Sequence, residues 1–325
     1  MSIDLSLENI WNSWFLFKRG KQVNAEFEDF IYFLEPNLYT LYQDLNNGGY
    51  RHGGYKTFIV EDPKKREISV AGIRDRVVHR LLYEYLAVIY DRTFIFDVWS
   101  CRKGKGLTGA IERAQSFLKS SPRSFVWRAD VKKFFDNVDH EVLKKTLRYK
   151  ILNPNALAIL DEVINSYSVA AFQAGPKGIP IGNLTSQIFA NIYLNELDRF
   201  VKHHLKIKAY LRYGDDFILV ADNYELAAKF RLAVTSFLNR ELGLEVNHKN
   251  DVILKPKQGL SFLGVEMFST SRKLNEGTQS RIKNRLSLKN IPSYAGLVAA
   301  NSNMATIREF NWSILEQLED YEKST

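Results

Sequence analysis

The sequence predicts an α+β protein whose central sheet follows the order β-α-β-β-α-β. Residues 209–221 are two apolar, β-rich runs around a Gly-Asp pair, which is the pattern of a tight hairpin. Residues 124–131 form another apolar run, which carries Asp130 near its end, where the chain turns towards a helix. Helical patterns separate this strand from the hairpin. In such a sheet the strand of Asp130 lies beside the hairpin.

Composition limits the class of protein. The 325 residues are enough for two or three subdomains with a sizeable core, and 45% hydrophobic against 25% charged residues is typical of a globular chain. The net charge of +8 favours an anionic partner, of which nucleic acid is the commonest. A single cysteine, Cys101, excludes an intrachain disulfide. An acidic N-terminus and no apolar run of about 18 residues predict a cytoplasmic protein without a membrane partner.

The N-terminal part is predicted to be helical and to lead into a hairpin. Residues 7–46 repeat aromatic and aliphatic side chains at helical spacing, and we expect Gly20 and Pro36 to break them into separate helices. Residues 55–60 and 66–70 then predict two strands joined by a short turn.

Two short basic segments are candidates for phosphate contacts. The tip of this hairpin is either solvated or grips a phosphate, and its cations are Lys64, Lys65 and Arg66. Further along, a glycine loop over residues 102–106 leads into a helix that ends near residue 119. Such a loop brings backbone N–H groups close to a phosphate in some proteins, and its cations are Arg102, Lys103 and Lys105. This loop lacks the Gly-Lys-Ser/Thr ending of a P-loop, which argues against a nucleoside-triphosphatase site.

Three acids are the candidates for chemistry. Asp130 stands at a strand end, a recurrent place for chemistry in α/β architecture, although a turn or cap residue is the simpler interpretation. Asp215 and Asp216 stand at the hairpin tip, where two adjacent like charges need a compensating cation. They are either a solvated turn or half of a divalent-metal site. Asp139 is a predicted helix N-cap.

The remaining elements are helical with one further strand pair. Gln187 falls in the first or second turn of a long helix, where its amide faces either solvent or a ligand. Residues 260–267 predict a strand pair bending at Gly264. The composition becomes basic and polar near residue 270, and a helix over residues 305–319 precedes a short charged tail. One predicted helical stripe carries three cations, Arg281, Arg285 and Lys289.

The predicted sheet brings the three acids together. Oxygen-only ligands suit Mg²⁺ or Mn²⁺ rather than zinc. Two such ions about 4 Å apart would activate a 3′-hydroxyl and stabilise a leaving pyrophosphate. General acid or base chemistry by a carboxylate dyad is the alternative, and it is less favoured because three acids converge within a basic chain.

At this point the motifs carry a family resemblance: the chain resembles reverse transcriptases. Residues 125–140 resemble their motif A, residues 178–195 motif B, and residues 213–216 the Tyr-x-Asp-Asp box. Residues 243–249 are similar to motif D and residues 262–265 to the primer grip. Three blocks of the fingers also have counterparts, at residues 62–69, 74–79 and 101–106. The resemblance implies a right-hand polymerase with fingers, palm and thumb over residues 1–120, 121–270 and 271–325.

Motif B distinguishes branches of the family. Residues 181–187 read Ile-Gly-Asn-Leu-Thr-Ser-Gln, whereas group II intron enzymes typically carry Gln-Gly followed by Ser-Pro. This pattern resembles diversity-generating retroelement reverse transcriptases, and residues 293–302 are similar to their short thumb. Group II intron-like, retron, abortive-infection and CRISPR-associated enzymes remain open alternatives.

The resemblance also implies residue roles. Asp130 and Asp215 would hold two Mg²⁺ ions, with Mn²⁺ able to substitute, while Asp216 and the Val131 carbonyl assist. The residues implied at the dNTP are Lys64, Lys65, Arg66, Phe135, Gln187 and Lys249, with Phe135 excluding a ribose 2′-hydroxyl. Those implied at nucleic acid are Arg102, Lys103, Lys105, Arg281, Arg285 and Lys289. The implied primer grip is Phe262, Leu263 and Gly264.

The implied activity is RNA-directed DNA synthesis. Its partners would be a template RNA, a primer or cDNA, dNTPs and a small basic accessory protein, and the retroelement branch implies cDNA with errors at adenines. Three rivals remain: a non-catalytic RNA-binding or scaffold protein, an RNA-directed RNA polymerase, and an antiviral enzyme that makes untemplated or protein-primed DNA. The bulk of Phe135 argues against the second.

Overall fold

The structure, a computed structural model, describes residues 1–61, 65–169 and 175–324. Its α-helices are α1 (Leu7–Lys18), α2 (Ala25–Tyr32), α3 (Leu34–Asn46), α4 (Ile73–Tyr90), α5 (Leu107–Ser120), α6 (Phe134–Asn137), α7 (His140–Arg148), α8 (Pro154–Asn165), α9 (Leu184–Arg199), α10 (Tyr224–Leu242), α11 (Glu276–Arg285), α12 (Ile291–Asn301) and α13 (Met304–Ser324). No described helix is both long enough and apolar enough to cross a membrane.

Three antiparallel sheets accompany the helices. The strands are β1 (Tyr55–Glu61), β2 (Lys65–Ala71), β3 (Phe125–Asp130), β4 (Tyr210–Tyr213), β5 (Asp216–Ala221), β6 (Val252–Leu254), β7 (Leu260–Phe262), β8 (Val265–Met267) and β9 (Arg272–Leu274). The largest sheet has the order β4–β5–β3–β6. With α9 between β3 and β4 and α10 between β5 and β6, this confirms the predicted α+β class and its β-α-β-β-α-β order.

The chain divides into two compact units, each built from three segments. The first unit comprises Met1–Ile95, Val131–Arg199 and Ser236–Glu245, and the second comprises Phe96–Asp130, Phe200–Thr235 and Val246–Thr325. The division into fingers, palm and thumb at residues 120 and 270 stays a prediction, because each unit combines segments that are distant in sequence.

The core of the second unit joins its sheet to the C-terminal helices. One continuous cluster of buried side chains includes Ile111 of α5, Ile218 of β5 and Phe262 of β7. Ile282 and Phe310, from α11 and α13, belong to the same cluster. Burying these apolar side chains together is what holds the helices after residue 275 to the strands.

Three sequence predictions about helix ends are wrong. Pro36 lies in the first turn of α3, where the missing N–H costs nothing, and the break falls at Phe33. Lys289 lies beyond the end of α11 and therefore does not share a helical stripe with Arg281 and Arg285. The tail predicted after residue 319 is helical, because α13 continues to Ser324.

Buried hydrogen bonds in the first unit anchor the loop before α9. The Asn183 side chain accepts from the Ala71 N–H at 3.1 Å and donates to the Ser69 carbonyl at 2.7 Å. Within α4, the buried His79 ring lies 2.9 Å from the Thr185 hydroxyl and 3.0 Å, nitrogen to nitrogen, from His52. The backbone of β2 and the His79 side chain of α4 therefore fix the start of α9.

The same network predicts a pH-dependent stability. Burial, with smaller effects from His52 and Arg76, lowers the pKa of His79 to about 3. Between about pH 3 and the ordinary histidine pKa of 6.5, the His79 ring binds a proton in the unfolded chain but not in the folded chain. The free energy of unfolding should therefore fall with decreasing pH, by up to about 1.4 kcal/mol per unit below roughly pH 6.5.

Urea unfolding at about pH 7 and about pH 5 measures this loss. The variant His79→Gln should lose much of the difference between the two conditions, whereas His203→Gln, which changes an exposed ring, should keep it. An equal pH dependence in wild type and His79→Gln would contradict the assignment.

Candidate active site

The predicted acids meet at one edge of the largest sheet. Asp130, the last residue of β3, pairs in register with Asp216, the first residue of β5. Directly opposed residues of antiparallel strands have Cα atoms about 4.5–5.5 Å apart. Tyr213 pairs with Asp216 across the hairpin, leaving Gly214 and Asp215 as its two-residue turn. The sheet register therefore brings together the acids that are far apart in sequence.

The Asp216 carboxylate is paired with an arginine. Arg128 donates from Nε to Oδ1 at 3.2 Å and from Nη2 to Oδ2 at 2.9 Å. Arg128 lies on β3 two residues before Asp130 and so shares its face of the sheet. Its guanidinium carbon is 6.0 Å from the centre of the Phe262 ring. This two-point contact offsets one negative charge where two carboxylates face each other.

The Asp130 carboxylate is satisfied on one oxygen only. Its Oδ2 accepts from the Asn250 side chain at 2.9 Å and from Asn247 at 3.4 Å, and the Asn247 N–H donates to its backbone carbonyl at 2.9 Å. Its Oδ1 is buried and has no hydrogen-bond partner among the residues that the structure describes. A buried anionic oxygen without a donor is costly. A bound cation would remove that cost, so Asp130 fits a metal ligand.

The set is not a complete metal site. Within the described ranges, no group of three or more His, Cys, Asp or Glu side chains is arranged to hold an ion. Asp216 is committed to Arg128, and Asp130 offers one open oxygen. The assignment of metal ligands to Asp130, Val131, Asp215 and Asp216 stays a prediction.

Arg128, Asn247 and Asn250 are site residues that sequence reasoning did not single out. The two asparagines lie in the segment after α10, close to the predicted Lys249, whose N–H donates to the Asn247 side chain at 3.2 Å. Single polar residues in a strand or loop carry no periodic signal. The alternation of β3 could have placed Arg128 on the face of Asp130.

Tyr213 closes the turn as a neutral group. Burial raises the pKa of its hydroxyl, with a smaller contribution from Cys101. The ring also packs against the core cluster of the second unit. Tyr213 therefore supports the turn without adding a third negative charge to it.

The predicted dNTP residues of the first unit occupy varied surroundings. Lys64 lies outside the described residues, while Lys65 and Arg66 are exposed on β2. Phe135 is half-buried in α6, with its ring 5.4 Å from that of Phe134. Gln187 is exposed in the first turn of α9. The roles of these residues stay predictions.

The predicted nucleic-acid cations of the second unit are partly engaged by the protein. Arg102 donates to the Val98 carbonyl at 3.2 Å, and Lys105 donates to the Phe96 carbonyl at 2.9 Å. The Lys105 ammonium lies 3.4 Å from the Phe96 ring centre. The other predicted cations at exposed or half-exposed positions are Lys103, Arg281, Arg285 and Lys289.

The predicted primer grip is a tight turn between β7 and β8. Phe262 and Val265 pair in register, so Leu263 and Gly264 form the turn, with φ angles of 52° and 82°. A side chain at Gly264 would come within 2.8 Å of the Thr278 hydroxyl. Glycine is required there by both conformation and space.

Comparisons with known proteins agree with this geometry. The family described as reverse transcriptase (RNA-dependent DNA polymerase) matches residues 60–267. Protein YkfC of Escherichia coli (strain K12) is 24% identical over 238 residues, which are 62% of this chain and 62% of YkfC. The group II intron-encoded protein LtrA of Lactococcus lactis subsp. cremoris is 25% identical over 181 residues, 54% of this chain and 30% of LtrA. The chain thus spans less than two thirds of these relatives.

Solved structures show the same fold. Telomerase from Candida albicans, in complex with a fragment of telomeric RNA, superposes with a TM-score of 0.54 and 16% identity, over 84% of this chain and 54% of that chain. Apo telomerase from Candida tropicalis gives a TM-score of 0.51 and 14% identity, over 82% of this chain and 57% of that chain. These likenesses confirm the polymerase fold that the motifs predict.

The open oxygen of Asp130 leads to a prediction about stability. Asp130→Asn removes a buried charge that faces Asp216, while its amide oxygen can still accept from Asn250. In chelator, the free energy of unfolding should stay the same or rise, by up to about 2 kcal/mol. Any stabilisation by Mg²⁺ should disappear, because the cation loses its ligand.

Thermal unfolding with EDTA and with Mg²⁺ measures both effects. The control is Asp222→Asn, which removes an exposed carboxylate just after β5 and should keep the response to Mg²⁺. Loss of stability in EDTA, or a Mg²⁺ response equal to that of wild type, would argue against the metal-ligand role.

Proposed function

We propose that this chain, which belongs to the reverse transcriptase family, is an RNA-directed DNA polymerase whose nucleotidyl transfer takes place beside Asp130, Asp215 and Asp216. The observation that carries the proposal is the Oδ1 atom of Asp130, which has no donor among the described residues and lies at the sheet edge where Asp216 faces Asp130 in register. An anionic oxygen held open at that edge suits a cation, and phosphoryl transfer depends on cations and positioning.

The proposed cofactor is a pair of Mg²⁺ ions, with Mn²⁺ able to substitute. Asp130 and Asp215 would hold them, assisted by Asp216 and the Val131 carbonyl. When bound, such ions activate the attacking hydroxyl and neutralise charge on the leaving pyrophosphate.

The chain's own polar groups prepare these carboxylates. The amide of Asn250 fixes Oδ2 of Asp130 and so leaves Oδ1 open for a ligand. Arg128 holds both oxygens of Asp216, which suits an assisting carboxylate better than a principal ligand. Both contacts orient a carboxylate before substrate arrives.

The proposed dNTP contacts come from several segments. Lys64, Lys65 and Arg66 would bind the triphosphate, and Gln187 would contact the nucleotide or template base. Lys249 would donate a proton to pyrophosphate, which its exposed position allows. Phe135 would exclude a ribose 2′-hydroxyl by its bulk.

The proposed macromolecular partners are a template RNA and a primer or cDNA strand. The excess of eight positive charges favours both. The proposed contacts are Arg102, Lys103, Lys105, Arg281, Arg285 and Lys289, with Phe262, Leu263 and Gly264 as the primer grip. We place the reaction in the cytoplasm.

The branch of the family is a finer proposal. Residues 181–187 favour a diversity-generating retroelement, which implies mutated cDNA and a small basic accessory protein. The likeness to LtrA favours a second candidate, a group II intron-like enzyme. Two near-identical repeats that differ only at adenines, in the DNA beside this reading frame, would support the first, and their absence would support the second.

Loss of the hairpin acids should abolish polymerisation. Asp215→Ala combined with Asp216→Ala should reduce extension of a primed RNA by purified protein, Mg²⁺ and dNTPs to background, because no carboxylate remains at the turn. Gel analysis of primer length measures this. Asp222→Ala combined with Glu225→Ala removes two exposed charges of the same unit and should keep extension. Normal extension by the first double variant would refute the site.

Removal of the Phe135 ring should relax sugar selection. Phe135→Ala should raise ribonucleotide incorporation relative to dNTP by about 10- to 100-fold, since a steric block is lost. The ratio of kcat/KM for rNTP and dNTP measures it. Phe134→Leu is the matched control, because that neighbouring ring is buried in the core. An unchanged ratio in Phe135→Ala would exclude it as the gate.

A further inference from the structure

We propose that Ser100 and Arg212 are positioning residues that hold the peptide groups around Gly214 and thereby fix Asp215. This inference rests on the proposed polymerase function, since it concerns how the turn presents its carboxylate. Neither residue belongs to the acids or cations predicted from sequence. Both lie in the second unit, as does the whole hairpin.

Two hydrogen bonds hold the turn, one on each side of Gly214. The Gly214 N–H donates to the Ser100 hydroxyl oxygen at 2.8 Å, and the Gly214 carbonyl accepts from Nη1 of Arg212 at 2.9 Å. The first bond fixes the peptide that links Tyr213 to Gly214. The second fixes the peptide that leads directly into Asp215.

Both gripping side chains are rigidly placed. Arg212 is fully buried and Ser100 is 7% exposed. The backbone of Arg212 donates to the Asp97 carbonyl at 2.9 Å and accepts from the Trp99 N–H at 3.0 Å. Residues 97–99 therefore run beside β4 like a short extra strand, and Val98 forms a parallel bridge with Arg212. This pairing brings Ser100 to the turn.

The turn needs such a grip. Gly214 has a φ of 65°, and none of the described atoms lies within 4 Å of where its Cβ would be. Packing therefore does not restrain this residue, whereas a ligand carboxylate has to be held within about 0.5 Å of its working position. Strand alternation directs Arg212 to the face opposite Asp216. Its guanidinium therefore reaches the Gly214 carbonyl without occupying the face of the sheet on which Asp216 lies.

A merely structural role and a positioning role differ in what a mild substitution changes. Ser100→Ala removes the acceptor for the Gly214 N–H, and Ser100→Thr restores a hydroxyl. Ser124→Ala is the matched control, because that serine is 5% exposed and its hydroxyl donates to the Ser121 carbonyl just before β3. Arg212→Lys keeps the positive charge but loses the planar guanidinium group and its fixed N–H donors.

The experiment uses the full chain on a primed RNA template. Steady-state extension gives kcat and KM for dNTP, and Mn²⁺ titration by electron paramagnetic resonance, on the complex with an unextendable primer, gives metal affinity without turnover. Thermal unfolding checks that each variant is folded.

Ser100→Ala should lower kcat or Mn²⁺ affinity by about 10- to 100-fold, the range for groups that orient metal ligands, with little change in KM. Ser100→Thr and Ser124→Ala should stay close to wild type. Because the two bonds hold the two peptides on either side of Gly214, Ser100→Ala with Arg212→Lys should lose less than the product of the two single effects.

Wild-type kcat and Mn²⁺ affinity in Ser100→Ala would overturn the positioning role while leaving the polymerase proposal intact. The positioning role is also overturned if Ser124→Ala lowers kcat or Mn²⁺ affinity as much as Ser100→Ala does, because the effect would then be a general one on folding. A wild-type chain that does not extend the primer overturns both proposals. If Arg212→Lys fails to fold, the comparison of Ser100→Ala with Ser100→Thr decides.

Discussion

Two carboxylates of like charge face each other across the pairing of β3 with β5, and much of the second unit is arranged around them. Such a pair would repel and weaken the sheet in isolation. Arg128 offsets the charge of Asp216, and Asn250 satisfies one oxygen of Asp130. The other oxygen remains without a donor among the described residues. The Oδ1 atom of Asp130 is therefore the one of these carboxylate oxygens at which a bound cation would replace a missing donor.

The strand that carries Asp130, β3, is restrained by its neighbours in the sheet. β3 lies between β5 and β6, and Trp127 at its middle is fully buried against Phe217 with ring centres 5.3 Å apart. The Trp127 indole also donates to Asp251 at 2.7 Å. A central strand with both neighbours in place cannot relax to relieve its terminal acid. Apolar burial therefore provides the free energy that keeps the polar edge in an unfavourable state.

The sequence was sufficient for those features that repeat or alternate. Periodicity predicted β3 and the hairpin, and topology then placed the strand of Asp130 beside the hairpin, because the β-α-β-β-α-β order makes them neighbours. Asn250 carries no such signal, since a lone polar residue in a loop becomes meaningful only when its partner is known, and for Arg128 alternation indicates the face of the sheet but not the partner Asp216. Pro36 and Lys289 show a second limit: helix ends are decided by caps and local bonds that residue type alone leaves open. The two-unit division was also beyond sequence reasoning, as it joins distant segments.

The shared core of the second unit bears on how this protein could be dissected. Ile282, Val298 and Phe310 come from the last three helices, yet they are buried in the same cluster as Ile218 of the hairpin. A fragment ending near residue 270 would lose the part of this cluster that Ile282, Val298 and Phe310 contribute, and the apolar surface thereby exposed promotes aggregation. The terminal helices and the acid-bearing sheet should consequently unfold as one cooperative block, with similar amide-exchange protection in both. A minimal folded fragment of the second unit would have to retain the helices up to Phe310.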